Sequence, residues 1–304
     1  MLNVWKPWYV HRPGQLLRRV ARRFAAPPTD PVTVTTPWGI PLAVNPHETI
    51  GRSLWTTGIY DLAASEVLYR LARPGGWHVD VGANLGYMTA LLAHRAGATG
   101  RVLAFEPHPM VATRLAENVA RIVRHPGTAP VDVFPFALSD QDGESSLVEP
   151  SGFADNTGTA RLANPDDVGG VGVPTRRLDG VLGGQLVQVM KVDVEGFEAA
   201  VFRGARDALA AGRIRHVLFE EHGGSEAESF GLLRDAGYAL FQVGWRMSGL
   251  VLAPLDAPRV CKPYEAPNYL ATLDPIAVQR ILDVRGWRVL RRRAAAGSEL
   301  TFTS

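Results

Sequence analysis

The sequence predicts an open α/β fold, a mostly parallel sheet of seven strands with helices on both faces. Three observations predict it. In Trp77-His-Val-Asp-Val81 the apolar Trp77, Val79 and Val81 alternate with His78 and Asp80, as in a strand. The run breaks at a turn bracketed by Gly82 and Gly86, then resumes at helical spacing through Tyr87, Met88, Leu91 and Leu92. Twenty residues beyond Gly86 a second apolar run, Val102-Leu-Ala-Phe105, ends in Glu106. Strand and helix patterns then alternate as far as Thr272, the order of a doubly wound sheet. A small amino-terminal cap and an antiparallel insertion complete the expected architecture.

Taken in order, residues 1–30 form a basic arm. Lys6, Arg12, Arg18, Arg19, Arg22 and Arg23 precede the first acid, Asp30. Within the arm, Leu16, Leu17, Val20 and Phe24 share one helical face. A membrane-surface or partner-binding helix is one reading. The short length and the abrupt Pro27-Pro28 favour the other, a loosely docked arm. Residues 31–74 form the cap: a hairpin from Val32-Thr-Val-Thr-Thr36 to Ile40-Pro-Leu-Ala-Val44, then a helix across Tyr60–Ala72 that stops at Pro74-Gly-Gly76.

The main domain is expected over 75–274. After Glu106 comes a helix with Pro109 in its first turn and Val111, Leu115, Val119 and Ile122 inward. The third strand is Val131–Leu138, ending at Ser139-Asp140. Residues 141–178, rich in Gly, Asp, Asn and Thr, suit the antiparallel insertion. Val187–Val194 is the fourth strand, followed by a helix carrying Phe202, Ala205 and Leu209. His216–Glu221 is the fifth, and Ser225-Glu-Ala-Glu228 reads as a capping box before a helix that buries Phe230 and Leu233. Leu240–Val243 and Tyr269–Thr272 are the last two strands. A helical extension, 275–304, ends in Arg291, Arg292 and Arg293. There is no internal repeat.

Bulk composition narrows the function. At 304 residues, 46% hydrophobic and 20% charged, the chain suits a globular enzyme with one large core or two modest ones. A net charge of +2 gives the whole chain no general attraction to nucleic acid. The one cysteine, Cys261, excludes an internal disulfide framework and suits a reducing compartment. No apolar run approaches the ~20 residues of a membrane span, and arginines interrupt every apolar stretch near the amino terminus. A cytoplasmic enzyme is the expectation; its oligomeric state is not legible.

The strand ends carry the chemistry, because ligands of open α/β sheets lie beyond the carboxyl ends of the strands. A glycine turn followed by a strand-end acid is a nucleotide site, with Glu106 placed to accept ribose hydroxyls. The spacing is Gly-x-x-x-Gly, with Asn84 where a pyrophosphate-binding turn has a middle glycine. Asp80, just before the turn, would repel a diphosphate and suits a cofactor bearing an amino group. The set fits S-adenosylmethionine better than NAD. Ser139 and Asp140 are candidates for the adenine edge, or simply a polar turn.

Asp193 and Glu195 end the fourth strand, and Glu220, Glu221 and His222 the fifth. Lys191 shares a strand face with Asp193, so an ion pair supporting the site is one reading. The other is catalytic. A hydroxyl acceptor needs a base or a metal; His222 is the best base by type, and Asp193, Glu195 and Glu220 can orient it or take the proton. A Mg²⁺ ion on these three carboxylates is conceivable, with no metal-specific spacing to support it.

These residues resemble the FkbM-type S-adenosylmethionine-dependent methyltransferases. The resemblance rests on Val79-Asp-Val-Gly-Ala-Asn-Leu-Gly-Tyr87, Ala104-Phe-Glu-Pro-His-Pro109, Ala137-Leu-Ser-Asp140, Lys191-Val-Asp-Val-Glu-Gly-Phe-Glu198 and Leu218-Phe-Glu-Glu-His222, with Gly58-Ile-Tyr-Asp61 ahead of them. It implies a Rossmann-like class I methyltransferase fold and methyl transfer to a hydroxyl of a sugar or natural-product scaffold. It also implies a cofactor site of Asp80, Gly82, Ala83, Asn84, Gly86, Tyr87, Glu106, Pro107, Ser139, Asp140 and Asp193. Rival readings are a nucleic-acid or protein methyltransferase and a non-catalytic binding module. Base methylation usually shows an Asn/Asp-Pro-Pro-Tyr/Phe segment where this chain has Asp193-Val-Glu-Gly196.

Overall fold

The computed structural model describes residues 6–10, 14–153, 155–163, 167, 169–224, 226–262 and 265–291. Helices α1 (Pro7–Val10) and α2 (Gly14–Phe24) precede a hairpin of β1 (Val32–Thr35) and β2 (Pro41–Val44). Two helices follow, α3 (Thr49–Thr57) and α4 (Leu62–Leu71). The sequence reading anticipated only the second. α3 ends on Gly58 in the left-handed conformation, and Asp61 caps α4 by accepting the Ala64 N–H at 2.9 Å.

The main alternation runs β3 (Trp77–Val81), α5 (Tyr87–Ala96), β4 (Arg101–Phe105), α6 (Pro109–Ile122) and β5 (Val131–Phe134). A second sheet interrupts it, built from β6 (Ala137–Leu138), β7 (Gly143–Val148), β8 (Arg161–Leu162) and β9 (Val171–Arg176) in the order β6-β9-β7-β8. The chain then resumes with α7 (Leu178–Leu182), β10 (Val187–Val192), α8 (Glu198–Gly204), α9 (Arg206–Ala210) and β11 (Ile214–Glu220). It closes with α10 (Glu228–Asp235), β12 (Ala239–Arg246), β13 (Gly249–Pro254), β14 (Asn268–Thr272) and α11 (Pro275–Leu282).

The central sheet has the order β13-β12-β14-β11-β10-β3-β4-β5. Strands β5, β4, β3, β10 and β11 are mutually parallel, and β14 inserts antiparallel between β11 and β12. This is the Rossmann-like class I arrangement, with β3 and β10 as the adjacent pair where the winding reverses. Alternating side chains feed two cores. Val102 and Ala104 face one with Leu68, Leu91 and Trp287; Leu103 and Phe105 face the other with Phe202, Phe219 and Phe230.

Four expectations are corrected. Among the described residues the central sheet has eight strands, because β13 folds back on β12 as a hairpin. The run 131–138 is two strands: Pro135 offers no N–H to a ladder, and the chain crosses there from β5 to β6 in the second sheet. Ser225 lies outside the described residues, and α10 starts at Glu228 with no side-chain cap. Glu228 bonds Arg203 instead. Among the described residues the last helix is α11; Arg291 follows it in a bend, and Arg292 and Arg293 lie outside the described residues.

Beyond α11 the chain is tied to α4 by a buried ion pair. Arg70 Nε donates to Glu66 Oε1 at 2.6 Å, both side chains fully buried. The guanidinium also donates to the carbonyls of Ile281, Leu282, Val284 and Gly286, and Glu66 accepts the N–H groups of Arg288 and Val289. Nearly every polar atom of the pair is thus used, which makes its burial tolerable.

Candidate active site

The turn between β3 and α5 has three left-handed residues, Gly82 (φ 72°), Asn84 (φ 49°) and Gly86 (φ 92°). At Gly82 the requirement is steric as well as conformational. A Cβ there would lie 1.9 Å from the Asp193 carbonyl oxygen, because the turn crosses directly over the end of β10. The Gly82 and Ala83 N–H groups both donate to the Phe105 carbonyl, at 3.0 and 2.9 Å. Asn84 N–H donates to Glu106 Oε2 at 2.9 Å, and His108 N–H to Glu106 Oε1 at 3.0 Å. Burial pushes the Glu106 carboxyl up while these two N–H groups pull it down. Each oxygen retains accepting capacity, the requirement for holding a pair of hydroxyls.

Beneath the turn, Lys191 joins two acids. Its Nζ lies 3.3 Å from Asp193 Oδ2 and 3.7 Å from Asp80 Oδ1, and donates to the Gly82 carbonyl at 2.9 Å. Burial opposes the charged ammonium, but Asp193 and then Asp80 outweigh it, so Lys191 titrates above its ordinary value. Asp80 is fully buried; Thr89 Oγ1 donates to its Oδ2 at 2.6 Å, and its Oδ1 has no hydrogen-bond partner. The structure therefore sets Asp80 behind the site, facing Lys191, and not in the cavity lining where the sequence reading put an acid for an amino group.

Past β10 the loop turns through Glu195 (φ 53°) and Gly196 (φ 95°). Glu198, buried at the start of α8, fixes it: its Oε1 accepts the N–H groups of Gly196 and Val194 at 3.2 and 3.3 Å. At the end of β11, His222 Nε2 lies 2.6 Å from Glu220 Oε1. His222 is half open to solvent and Glu220 largely enclosed, with side-chain exposures of 56% and 17%.

The glycine turn and the ends of β4, β10 and β11 surround one cavity of about 350 Å³. Gly82, Ala83, Asn84, Tyr87, Glu106 and Pro107 line it, as do Asp193, Glu195, Glu220 and His222. Gly86 supports the turn without lining the cavity. Ser139 and Asp140 are not brought to it. Asp140 pairs with Arg203 at 3.1 Å and accepts from Ser139 Oγ at 3.2 Å, so the polar turn after β6 is occupied with α8. Phe136, Ala137 and Leu138 take that wall instead.

Sequence reasoning missed contributions from both ends of the fold. Tyr60 and Asp61 of the cap and Asn268 of β14 line the cavity, as do Asn156, Thr157 and Arg161 of the insertion. Asp61 sits in the left-handed region (φ 37°), and Asn268 Nδ2 donates to its Oδ2 at 2.9 Å. The available signal was the Gly58-Ile-Tyr-Asp61 segment, which entered the sequence reading only through the family resemblance and with no site role. With Asp193, Glu195 and Glu220, Asp61 makes one end of the cavity acidic. Burial, then Asp193 and Glu198, pushes Glu195 up to about 7. Burial, then Asp193, Asp61 and Glu195, raises Glu220. Among the described residues no group of three His, Cys, Asp or Glu side chains is arranged to hold a metal ion.

The Methyltransferase FkbM domain matches residues 80–240, just over half of the chain. The chain belongs to the FkbM methyltransferase family. S-adenosylmethionine is the cofactor that goes with this domain, and the buried, doubly anchored Glu106 beside the glycine turn offers carboxylate acceptors for the ribose hydroxyls of such a ligand. Among FkbM relatives and similar proteins, AMB antimetabolite synthetase AmbE of Pseudomonas aeruginosa is 28% identical over 263 residues, 73% of this chain and 12% of that protein. Hexuronic acid methyltransferase AglP of Haloferax volcanii is 34% identical over 155 residues, 48% of this chain and 55% of that protein. The chain thus spans about half of one curated relative and a small part of the other. The crystal structure of methyltransferase FkbM from Methylobacillus flagellatus is similar over 72% of this chain and 52% of that one, at 14% identity and a TM-score of 0.42.

Proposed function

We propose that this protein is an O-methyltransferase that modifies a hydroxyl of a small molecule, a sugar or a natural-product scaffold. The observation that carries the reading is the His222–Glu220 pair, 2.6 Å apart, on the wall of the same cavity that Glu106 lines. The hexuronic acid methyltransferase relative supports a sugar as the acceptor class. S-adenosylmethionine, when bound, supplies an electrophilic methyl group on a sulfonium. In this reading Gly82, Ala83, Asn84 and Tyr87 cradle its methionine end, Glu106 accepts its ribose hydroxyls, and Phe136–Leu138 flank its adenine.

The remaining work belongs to the acidic end. With Nε2–H donated to Glu220, His222 keeps a lone pair on Nδ1 for the proton of an acceptor hydroxyl. Burial, then the charges of Asp193, Asp61 and Glu195, raise the Glu220 carboxyl, so the pair serves as a base above the pH at which that carboxyl ionises. Lys191 holds Asp193 and the Gly82 carbonyl in one place, so donor turn and acceptor end keep a fixed separation. Asp61, anchored by Asn268 and Ala64, is a further acceptor for substrate hydroxyls.

The test is incubation with S-adenosylmethionine and a panel of neutral sugars, hexuronic acids and catechol-like scaffolds, read by mass spectrometry. A mass gain of one methyl on a hydroxylated acceptor, lost in His222→Ala, is the expected result. Transfer to nucleic acid or protein with none to any small molecule would overturn it.

A further inference from the structure

Residues 1–29 hold Lys6, Arg12, Arg18, Arg19, Arg22 and Arg23 and no acid. Within them α2 is strongly amphipathic. Helical spacing gathers the apolar positions 16, 17, 20, 21 and 24 on one side and the arginine positions 18, 19, 22 and 23 on the other. A helix lying on its own protein turns its apolar side inward. α2 does so only at Leu16, which is half-buried. Leu17 is 75% exposed and Val20 40%, with Ala21 exposed beside them. From the arginine side, the Arg22 guanidinium stacks 4.2 Å over the ring of Trp55 in α3. Neither the cavity nor the proposed reaction uses the outward stripe.

We propose that α2 is a membrane-surface helix, whose Leu17, Val20 and Ala21 enter the headgroup boundary of an anionic bilayer. A helix with a narrow apolar stripe and an arginine-rich opposite side is the composition of an in-plane interfacial helix. The charge argues for lipid over protein. The charged positions of residues 1–29 are all basic and complement a uniform anionic surface, whereas a protein rim presents both signs. At 11 residues, α2 is about 16 Å long, too short to cross a hydrocarbon core of about 30 Å. Among the described residues no helix is long and apolar enough to cross a membrane. The surface mode is therefore the one its dimensions allow.

The experiment is co-sedimentation of the full chain with vesicles of phosphatidylcholine containing phosphatidylglycerol, against phosphatidylcholine alone. The chain is expected to sediment with the anionic vesicles and to be released by high salt. The double variant Leu17→Asp/Val20→Asp should lose at least about tenfold in partitioning, with thermal midpoint and S-adenosylmethionine affinity unchanged because both side chains face solvent. Equal sedimentation with both vesicle types, or a double variant that partitions as the parent does, would overturn the proposal. So would a dimer, seen by sedimentation velocity in the absence of any vesicle binding and dissociated by the same two changes, which assigns the stripe to a second copy.

Discussion

Glu106 Oε2 accepts the backbone N–H of Asn84 at 2.9 Å, so the acid ending β4 is tied to the glycine turn ending β3. The carboxylate is positioned before any ligand arrives, and one side chain serves both the turn and the proposed ribose site. Glu106→Ala is expected to weaken S-adenosylmethionine binding at least tenfold, at about 1.4 kcal/mol per tenfold, as measured by titration calorimetry. Unchanged affinity would take Glu106 out of the cofactor site.

Lys191 is the cation between Asp80 and Asp193. Lys191→Met leaves two carboxylates close together with nothing between them. A stability loss of about 3 kcal/mol is expected in denaturant titration at pH 8. The loss should shrink as the pH falls, because burial raises the Asp80 carboxyl and removal of the ammonium raises it further. A variant as stable as the parent at pH 8 would contradict the ion-pair account.

His222→Ala is expected to lower kcat by about 10²–10⁴-fold while cofactor affinity holds, since His222 is not among the residues proposed to grip it. Glu220→Gln should lower kcat less, because the glutamine still accepts the Nε2–H bond. If His222→Ala turned over normally, the base would belong to Asp193, Glu195 or Asp61.

Glu195 makes stability depend on pH. Its carboxyl titrates near 7 in the folded chain against an ordinary 4.5, so between those values the folded state binds the extra proton. The contribution of Glu195 is fully present below about 4.5, falls as pH rises through 7, and is flat above. Glu195→Gln removes the decline. Thermal melts should therefore show the variant gaining more over the parent at pH 8 than at pH 5, and an equal offset at both would sink the assignment.

What was legible in the sequence is what local pattern encodes. The β3 turn was visible because φ-positive glycines and the crossing over β10 leave no room for a Cβ, and Glu106 was visible by its interval from Gly86. The relation of Lys191 to Asp193 followed from strand parity. Partnerships between distant segments were not visible. Asp61 and Asn268 stand 207 residues apart and meet only because β14 inserts beside β11. Arg70 holds carbonyls more than 200 positions away, from a segment that reads as a separate extension. Asp140 looked like a cofactor residue because it ends a strand, but β6 belongs to the second sheet and turns it toward Arg203.

The most direct test of the central claim is the fate of a labelled methyl group. With ¹³C-methyl S-adenosylmethionine and a sugar acceptor found by the mass screen, the product carbon spectrum reports the atom that received it. A methoxy carbon coupled through oxygen to a ring proton is the result expected. A label on nitrogen or on carbon would contradict the His222–Glu220 account of an activated hydroxyl.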